Sequence, residues 1–521
     1  MHDIEFLLAL LLAVALLAQL AGRLRVPYPV FLVVAGLAIG LIPGGPGIAL
    51  EPDVVFLVFL PPLLYAAGFR ASPRDLRAEA GRITLLAVVL VFLTMGAVAA
   101  VAHALFGDLG WAMAFVLGAV LAPTDPVAAT TVFRGADVPD RVATVVEGEA
   151  LVNDGVGLTV YRVAVGAATS GTFALGSAAL QLIGVAAGGV VVGLAVGWLL
   201  GLVRRRVQEA EIETALSLFT PYAAYIVAEH LTVSGILAAV TVGVYTGWRS
   251  QELVMPETRL KMLAFWGALA FLLDSVLFVL VGLQLPVVAG ALAPDTLANV
   301  LPPALAVAAA IIGVRMAFEF AASATRAWLP KVAEPLPLGE QLVVGWSGMR
   351  GAVSLAAALA IPALTEAGRP LTGRELVILI TFVTIVATIL LQGLTLPLLV
   401  RATGLHRGAE AEEQEQRARL AAAQAALERL DRAAGEDGVP GTTVERLRTV
   451  YREHAERAAA ELDEEDVETE DSSAAYRELR ALTLQAERET VLRLRAEGRL
   501  STETARKLEH EIDLAQSRVE A

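Results

Sequence analysis

The sequence predicts an all-α integral membrane protein of about 13 transmembrane helices, followed by a helical tail in water. The chain is 56% hydrophobic and has a mean hydropathy of +0.64, whereas ordinary soluble domains are about half apolar. The apolar residues are concentrated in residues 1–404, in runs near the length of about 20 residues that crosses a bilayer as a helix. Residues 405–521 are instead charged and rich in alanine.

The apolar runs follow one another with short polar loops between them. Their approximate limits are 4–22, 27–43, 53–69, 83–106, 110–133, 141–166, 174–203, 214–230, 232–248, 262–286, 297–321, 340–364 and 375–401. We expect the first run to be a span rather than a signal peptide. Acidic residues precede it and arginines follow it, which is the reverse of the charge order in a signal sequence.

Loop charges predict the orientation of the chain. If the N-terminus lies outside, the predicted cytoplasmic loops hold 16 Arg and Lys residues, and the predicted outer loops hold only Arg369 and Arg374. Basic loops are retained in the cytoplasm. We therefore expect an odd number of spans in a bacterial-type inner membrane, with residues 405–521 in the cytoplasm.

Composition excludes several classes of function. The chain has no cysteine, so disulfides, thiolate metal sites and thiol nucleophiles are absent. The tail carries 28 acidic and 18 basic residues, which argues against nucleic acid as a partner and against docking on anionic lipid. Its segments 411–430 and 474–515 are rich in good helix formers.

Two spans contain helix-breaking residues at corresponding places. The fifth span includes Ala-Pro-Thr-Asp-Pro at 122–126, and the twelfth includes Gly-Trp-Ser-Gly-Met-Arg-Gly at 345–351. Such breaks are tolerated where the backbone lines a protein cavity. If spans 1–6 and 8–13 are two six-helix repeats, these breaks correspond and the repeats are inverted. Broken helices in inverted repeats indicate the binding site of a transporter.

The sixth span carries acidic residues inside the membrane. Glu147, Ala150 and Asp154 share one helix face at i, i+3 and i+7. Asp154 falls near mid-membrane, where a carboxylate must bind a cation, pair with a base or take up a proton. A cation and a proton that compete for this one group would be exchanged across the membrane. The alternative is a buried aspartate that is hydrogen-bonded to a neighbouring helix.

The break in the fifth span offers further oxygen ligands. Asp125 lies between two prolines, Thr124 supplies a hydroxyl, and an unwound turn supplies carbonyl groups. Hard cations such as Na⁺ prefer these oxygens. In a soluble protein, the same Thr-Asp-Pro sequence would only indicate a helix start.

Buried arginines in the last spans need acidic partners. We expect Glu149 to pair with Arg350, and Glu319 or Asp125 to pair with Arg315. Asp274 in the tenth span is a further buried carboxylate candidate, and the sequence assigns it no partner.

Four segments together resemble a known family. They are Leu-Pro-Pro within 59–69, Thr-Asp-Pro within 123–128, Glu-Gly-Glu to Asn-Asp-Gly at 147–155, and Arg-Gly-Ala-Val-Ser within 348–355. In this order and spacing they resemble the first branch of the cation–proton antiporter superfamily. That branch contains bacterial sodium/proton antiporters and the animal sodium/proton exchangers, and the likeness covers about residues 4–404.

The resemblance implies a homodimeric antiporter with no cofactor. It implies a dimer domain at about 4–69 and 214–286, and a core domain at about 83–166 and 297–401 that moves like an elevator. By motif, Asp154 binds Na⁺ or H⁺, while Asn153, Thr124 and Asp125 shape the site. Glu149 and Arg350 would form a structural ion pair. An asparagine at position 153 implies electroneutral exchange of one cation per proton.

Several alternatives stay open at the level of sequence. Relatives often have a serine where this chain has Ala150 and an acidic residue where it has Ala66, so Li⁺ or K⁺ exchange remains an alternative. A cation channel would use the same buried residues, although the sequence shows no repeated filter motif. An intramembrane enzyme is disfavoured, because no histidine is near the carboxylates in sequence.

Overall fold

A computed structural model of the chain describes residues 2–500 apart from 25, 43–50, 108, 137, 172–174, 208, 291–293, 325–335, 406–408, 435–440, 461, 463–466 and 498; beyond 500 it describes 504, 508–509, 511–513 and 515–516. The described residues form helices and loops, with one isolated bridge between Leu364 and Pro370. The all-α prediction is thereby confirmed. The chain divides into two compact units, Met1–His406 and Arg407–Ala521.

The first half of the larger unit contains ten helices among the described residues. They are α1 (His2–Leu24), α2 (Tyr28–Gly40), α3 (Pro52–Val54), α4 (Leu60–Arg70), α5 (Pro73–Ala78), α6 (Ala80–Thr84), α7 (Leu90–Leu105), α8 (Trp111–Leu121), α9 (Val127–Ala136) and α10 (Asp140–Ser170). Single π-helical turns at Val55–Phe59 and Leu85–Val89 join α3 to α4 and α6 to α7.

The second half continues with eight described helices. They are α11 (Leu175–Arg204), α12 (Ala210–His230), α13 (Gly235–Leu253), α14 (Pro256–Gly290), α15 (Pro294–Ala324), α16 (Leu338–Trp346), α17 (Ala352–Leu359) and α18 (Arg374–Thr403). The short runs at 214–230 and 232–248 are thus two separate helices. Within the described part of the chain, six helices are long and apolar enough to cross a membrane. The total of 13 spans remains a prediction.

A double proline explains the π-helical turn in the third span. Pro61 and Pro62 have no N–H group, so carbonyl groups one turn earlier lose their helical partners. The Tyr222 hydroxyl on α12 donates a hydrogen bond to one of these carbonyls, that of Val58, at 3.0 Å. The kink is therefore compensated by a side chain from a neighbouring helix, as an apolar environment requires.

Close backbone contact joins α2 to α14. A Cβ atom added at Gly36 would lie 2.3 Å from the Val279 carbonyl oxygen, and one added at Gly282 would lie 2.3 Å from that of Val33. Only glycine fits at both positions. Small residues that allow helices to approach closely are a common means of packing in lipid.

Two hydrophobic clusters are each confined to one set of helices. The first, around Trp266, combines buried residues of α4, α12, α13 and α14. The second, around Val343, combines buried residues of α7, α9, α10, α16 and α18. A larger cluster contains residues of both sets.

The smaller unit is helical, as expected. Its described helices are α19 (Ala409–Ala433), α20 (Gly441–Ala460) and α21 (Val467–Ala496), and α19 packs against α20. The sequence correctly indicated α19 but gave no separate prediction for α20. The helical composition at 474–515 extends beyond the observed end of α21 at Ala496.

Candidate functional site

The two broken spans meet at the centre of the larger unit. The fifth span is interrupted between α8 and α9, and the twelfth between α16 and α17, as the prolines and glycines predict. The backbone N–H of Asp125 in the first break donates to the Met349 carbonyl in the second, at 2.8 Å. The two breaks are thus held together by the main chain itself.

Arg350 occupies the end of α8. Its guanidinium donates hydrogen bonds to the carbonyl groups of Ala122 and Pro123. Both carbonyls lack helical partners: Pro126 has no N–H for the first, and the Val127 N–H that the second would accept is bonded to Asp125 Oδ1 at 2.9 Å. A positive charge also complements the negative end of a helix.

The expected ion pair between Glu149 and Arg350 is wrong. Glu149 is instead bound by Arg315 on α15, through a bidentate contact of 2.5 Å (Nη1 to Oε1) and 2.6 Å (Nη2 to Oε2). The physical reason is that the freed carbonyls of α8 take up the Arg350 guanidinium, while α15 places Arg315 beside α10.

Of the two partners considered for Arg315, Glu319 interacts with it electrostatically but is not its hydrogen-bonded partner among the described residues. Besides Glu149, its guanidinium donates to the Val344 carbonyl at 3.1 and 3.2 Å. Glu319 accepts a hydrogen bond from Arg82 on α6 at 3.4 Å, and Asp125 caps α9. These contacts connect Arg315 and Glu319 of α15 to residues of α10, α16 and α6.

Two of the predicted site residues are attached to this ion pair. The Asn153 side-chain amide donates to the Thr124 hydroxyl at 2.7 Å, and that hydroxyl donates to Glu149 Oε1 at 3.4 Å. Within the described part of the chain, Asn153 Oδ1 is buried without a hydrogen-bond partner. The pair of Glu149 and Arg315 thus fixes the positions of Thr124 and Asn153.

A cavity of about 490 Å³ lies beside the crossing of the two breaks. From α10 it is lined by Glu147, Ala150 and Asp154, which is the helix face that the sequence predicts. Thr124 and Asp125 line it from the fifth span. Three residues of the predicted site, Asp154, Asp125 and Thr124, therefore line one cavity. The fourth, Asn153, is bonded to Thr124.

Asp154 is the least compensated acid in this cavity. Asp154 is only 8% exposed. Its carboxylate makes no hydrogen bond or ion pair to the residues that the structure describes. Asp125 lies close enough to interact with it electrostatically. Asp154 thus has the unpartnered carboxylate that the sequence analysis required of the binding residue.

Gly351 is a site residue that the sequence analysis did not single out. A Cβ atom at this position would lie 2.0 Å from Asp125 Oδ2, so a side chain cannot be added without moving the carboxylate. The other oxygen of Asp125 is held by the Val127 N–H. The glycine between Arg350 and α17 was a local signal that could have indicated this close approach.

The cavity opens at one end. Arg70 and Arg134 line it there with exposed side chains, and Glu147 lies beside them. From Glu147 to Asp154 the helix rises by about 10 Å. The far end is lined by the buried residues Leu60 and Leu277. Asp154 is thus reached from one face of the protein.

The chemistry of the cavity suits a passing monovalent cation. Among the described residues, no group of three or more His, Asp or Glu side chains could hold a metal ion, as a resident metal centre would require. Carboxylates at 125 and 154, the Thr124 hydroxyl and unwound carbonyls supply the oxygen ligands that hard cations prefer.

The sequence model described as "Sodium/hydrogen exchanger, transmembrane" matches residues 8–402. The chain belongs to the sodium/hydrogen exchanger family. The exchanger is accordingly a multi-pass membrane transporter and not an enzyme, and the family suggested by its four motifs is confirmed.

Relatives match nearly the whole exchanger. It is 35% identical to an uncharacterized Na⁺/H⁺ exchanger of Mycobacterium tuberculosis, over 98% of this chain and 94% of the relative. It is 32% identical to the low-affinity Na⁺/H⁺ antiporter NhaS1 of Synechocystis, over 85% and 82%. The sodium proton antiporter MjNhaP1 from Methanocaldococcus jannaschii has the same fold, with a TM-score of 0.58 and 21% identity over 76% of this chain and 97% of that chain.

Proposed function

We propose that the exchanger moves Na⁺ and H⁺ in opposite directions across the inner membrane by letting both compete for Asp154. One observation carries the proposal: Asp154 is buried, without a partner among the described residues, in a cavity that opens to one face. A charged carboxylate is costly in this setting. It is neutralised either by a bound cation or by a proton, and never by both.

Competition at one group accounts for coupling. Na⁺ would bind at Asp154 with oxygens from Asp125 and Thr124 and with water, after the proton has left. The loaded or protonated site is compensated and can change sides. The empty, charged site is not, because moving an unpaired carboxylate past apolar residues such as Leu60 and Leu277 is unfavourable.

The arrangement of helices supports movement between two domains. One wall of the cavity consists of α2, α4 and α14, which belong to the proposed dimer domain (about 4–69 and 214–286). The other consists of α9, α10 and α17, which belong to the proposed core (about 83–166 and 297–401). A site located between two sets of helices can open to either face when one set slides against the other.

Charge supports the cytoplasm as the face to which this cavity opens. Arg70 and Arg134 at its mouth belong to the basic loops that the positive-inside rule assigns to the cytoplasm. This orientation also places the N-terminus outside and the tail unit in the cytoplasm. We further propose a homodimer in the lipid bilayer, in keeping with the family resemblance and with the weakly buried apolar surface of α11.

The proposal is tested with purified protein in liposomes that carry a pH gradient and an internal pH dye. Addition of Na⁺ should change the internal pH in the wild type, and Asp154→Asn should reduce the rate by more than about 100-fold, because the neutral amide cannot exchange a proton. Asp53→Asn, which changes an exposed carboxylate outside the cavity, is the matched control. An active Asp154→Asn protein would refute the mechanism.

The same liposome assay distinguishes Na⁺ exchange from Li⁺ or K⁺ exchange and from a cation channel. Replacing Na⁺ by Li⁺ or K⁺ measures which cation is exchanged. We expect an electroneutral cycle, in keeping with Asn153, so a membrane potential imposed with an ionophore should leave the rate unchanged. A channel would instead give cation conductance without a proton flux.

A further inference from the structure

The cavity contains a third carboxylate for which the exchange mechanism above has no role. Asp274 on α14 lines the cavity together with Asp125 and Asp154. It is half-buried, and it interacts electrostatically with Asp125, as Asp154 does. Asp125 therefore interacts with a carboxylate on each wall.

The three acids do not converge on one ion. Among the described residues, no three His, Asp or Glu side chains are placed to hold a metal ion jointly. Asp274, on the opposite wall, is therefore not assigned to a cation at Asp154. The cavity nevertheless contains a ligand site, because Asp154, which is more than nine-tenths buried, faces into it with no partner in the described part of the chain.

The positive charge at the open end of the cavity explains why an acid is needed on the wall that contains α14. Arg70 and Arg134 line the cavity and interact electrostatically with both Glu147 and Asp274. Two guanidinium groups at the opening would repel an approaching cation. Glu147 balances one of these charges, and Asp274 balances the other.

A hydroxyl group lies next to Asp274. The Tyr28 ring packs edge-on against Phe271, with 5.3 Å between the ring centroids. Its hydroxyl is within electrostatic reach of Asp274 and Asp125. The Thr131 hydroxyl, which lines the same cavity, donates its one hydrogen to the Val127 carbonyl at 2.7 Å. The Tyr28 oxygen then keeps its lone pairs for a cation.

We propose that Asp274 and the Tyr28 hydroxyl form a second binding position for the monovalent cation, the mouth position, which the cation occupies before it reaches Asp154. This inference rests on the proposed function. Asp274 and Tyr28 belong to α14 and α2, on the wall opposite Asp154. The mouth position therefore raises the local concentration of cation at one face, apart from the exchange step at Asp154.

The test is the dependence of exchange on Na⁺ at each face for Asp274→Asn. Everted and right-side-out membrane vesicles present opposite faces to added Na⁺. We expect the apparent KM for Na⁺ to rise about 5- to 10-fold at the cavity face, because a carboxylate that concentrates the cation is lost. The maximal rate should stay within about 2-fold, as for the loss of uniform binding, and the KM at the other face should not change.

Labelling identifies the cavity face independently. The chain has no native cysteine, so Arg74→Cys, at an exposed position just after the mouth residue Arg70, provides a single site for a membrane-impermeant maleimide. The vesicles whose added reagent labels this cysteine present the cavity face.

Further variants separate a local effect from misfolding. Tyr28→Phe keeps the ring packing and removes only the oxygen, so we expect a rise in KM of about 2- to 3-fold at the same face. Tyr225→Phe, which removes a hydroxyl outside the cavity, is the matched control and should leave KM unchanged. Asp274→Glu should restore most of the wild-type KM.

The following outcomes would contradict the mouth position. One is a KM for Na⁺ that Asp274→Asn leaves unchanged while the wild type is active. Another is a KM that rises equally at both faces. The mouth position also fails if a folded Asp274→Asn protein has no exchange at saturating Na⁺, since Asp274 would then belong to the exchange site. An inactive wild type would overturn the proposed function itself, and the mouth position with it.

Discussion

Glu149 and Asp154 lie five residues apart on α10 and have opposite surroundings. Glu149 is 1% exposed and both of its oxygens are bound by Arg315. Asp154 is 8% exposed, faces the cavity, and has no partner among the described residues. Burial alone does not distinguish the two acids. The difference lies in compensation: Arg315 neutralises the charge of Glu149, whereas in the proposed mechanism the charge of Asp154 is neutralised by a bound cation or a proton.

The geometry of the compensated acid indicates a structural role. A bidentate contact between a guanidinium and a carboxylate adds directional specificity to the attraction of the charges. Thr124 and Asn153 are connected to the same pair by hydrogen bonds. The ion pair therefore supports the part of the cavity wall that contains Thr124. It lies between one and two helical turns from Asp154, the proposed exchange site.

The largest effect on stability should come from breaking the compensated acid. Glu149→Gln leaves the buried Arg315 guanidinium without its hydrogen-bonded counter-charge, which costs about 3–5 kcal/mol of unfolding free energy. Asp154→Asn removes an uncompensated charge and should not destabilise the protein. Unfolding of both variants in detergent measures this difference.

A double variant sharpens the same comparison. Glu149→Gln with Arg315→Gln removes both charges and should regain part of the lost stability. If Glu149→Gln alone were as stable as the wild type, the assignment of Glu149 as the structural acid would be wrong.

A loss of comparable size is expected at Arg350, which compensates backbone carbonyl groups rather than an acid. Arg350→Ala leaves the carbonyls of Ala122 and Pro123 unpaired, at a cost of about 1–3 kcal/mol for each buried group. The expected result is a lower yield of folded protein, measured by size-exclusion chromatography in detergent. Arg350→Lys should recover part of this yield, because it keeps one donor group. Normal yield with lost exchange would show a direct role in transport instead.

The smallest effect is expected at Gly351. Gly351→Ala forces the Asp125 carboxylate to move, because the new Cβ would lie 2.0 Å from Oδ2. We expect the KM for Na⁺ to rise about 3- to 10-fold with the fold retained, as for the loss of one oxygen ligand of the cation. Gly313→Ala is the matched control, since its Cβ meets no atom within 4 Å. Equal KM values for the two variants would contradict a role of Asp125 in binding.

The features that sequence predicted are those with local causes. Proline and glycine favour interruption of a helix, so the predicted breaks at 122–126 and 345–351 agree with the observed interruptions at 122–126 and 347–351. The helical period placed Glu147, Ala150 and Asp154 on one face, and this face lines the cavity. In both cases, the information lies within a few residues of the chain.

The features that sequence missed depend on contacts between distant helices. Arg315 and Arg350 are both buried guanidiniums, and no pattern in the chain indicates that one faces Glu149 and the other the end of α8. The placement of Tyr28 and Asp274 on the cavity wall follows from the packing of α2 against α14. Residues that are far apart in sequence become neighbours only through that packing.

The hydrogen bond from the Asp125 amide to the Met349 carbonyl has an evolutionary consequence. Donor and acceptor both belong to the main chain. No side-chain replacement at either residue therefore removes this hydrogen bond, apart from proline at 125. Mutation can therefore alter the side chains around the proposed ion site while the contact between the two unwound segments persists. Cation preference would then be able to change during evolution without loss of the backbone arrangement at the site.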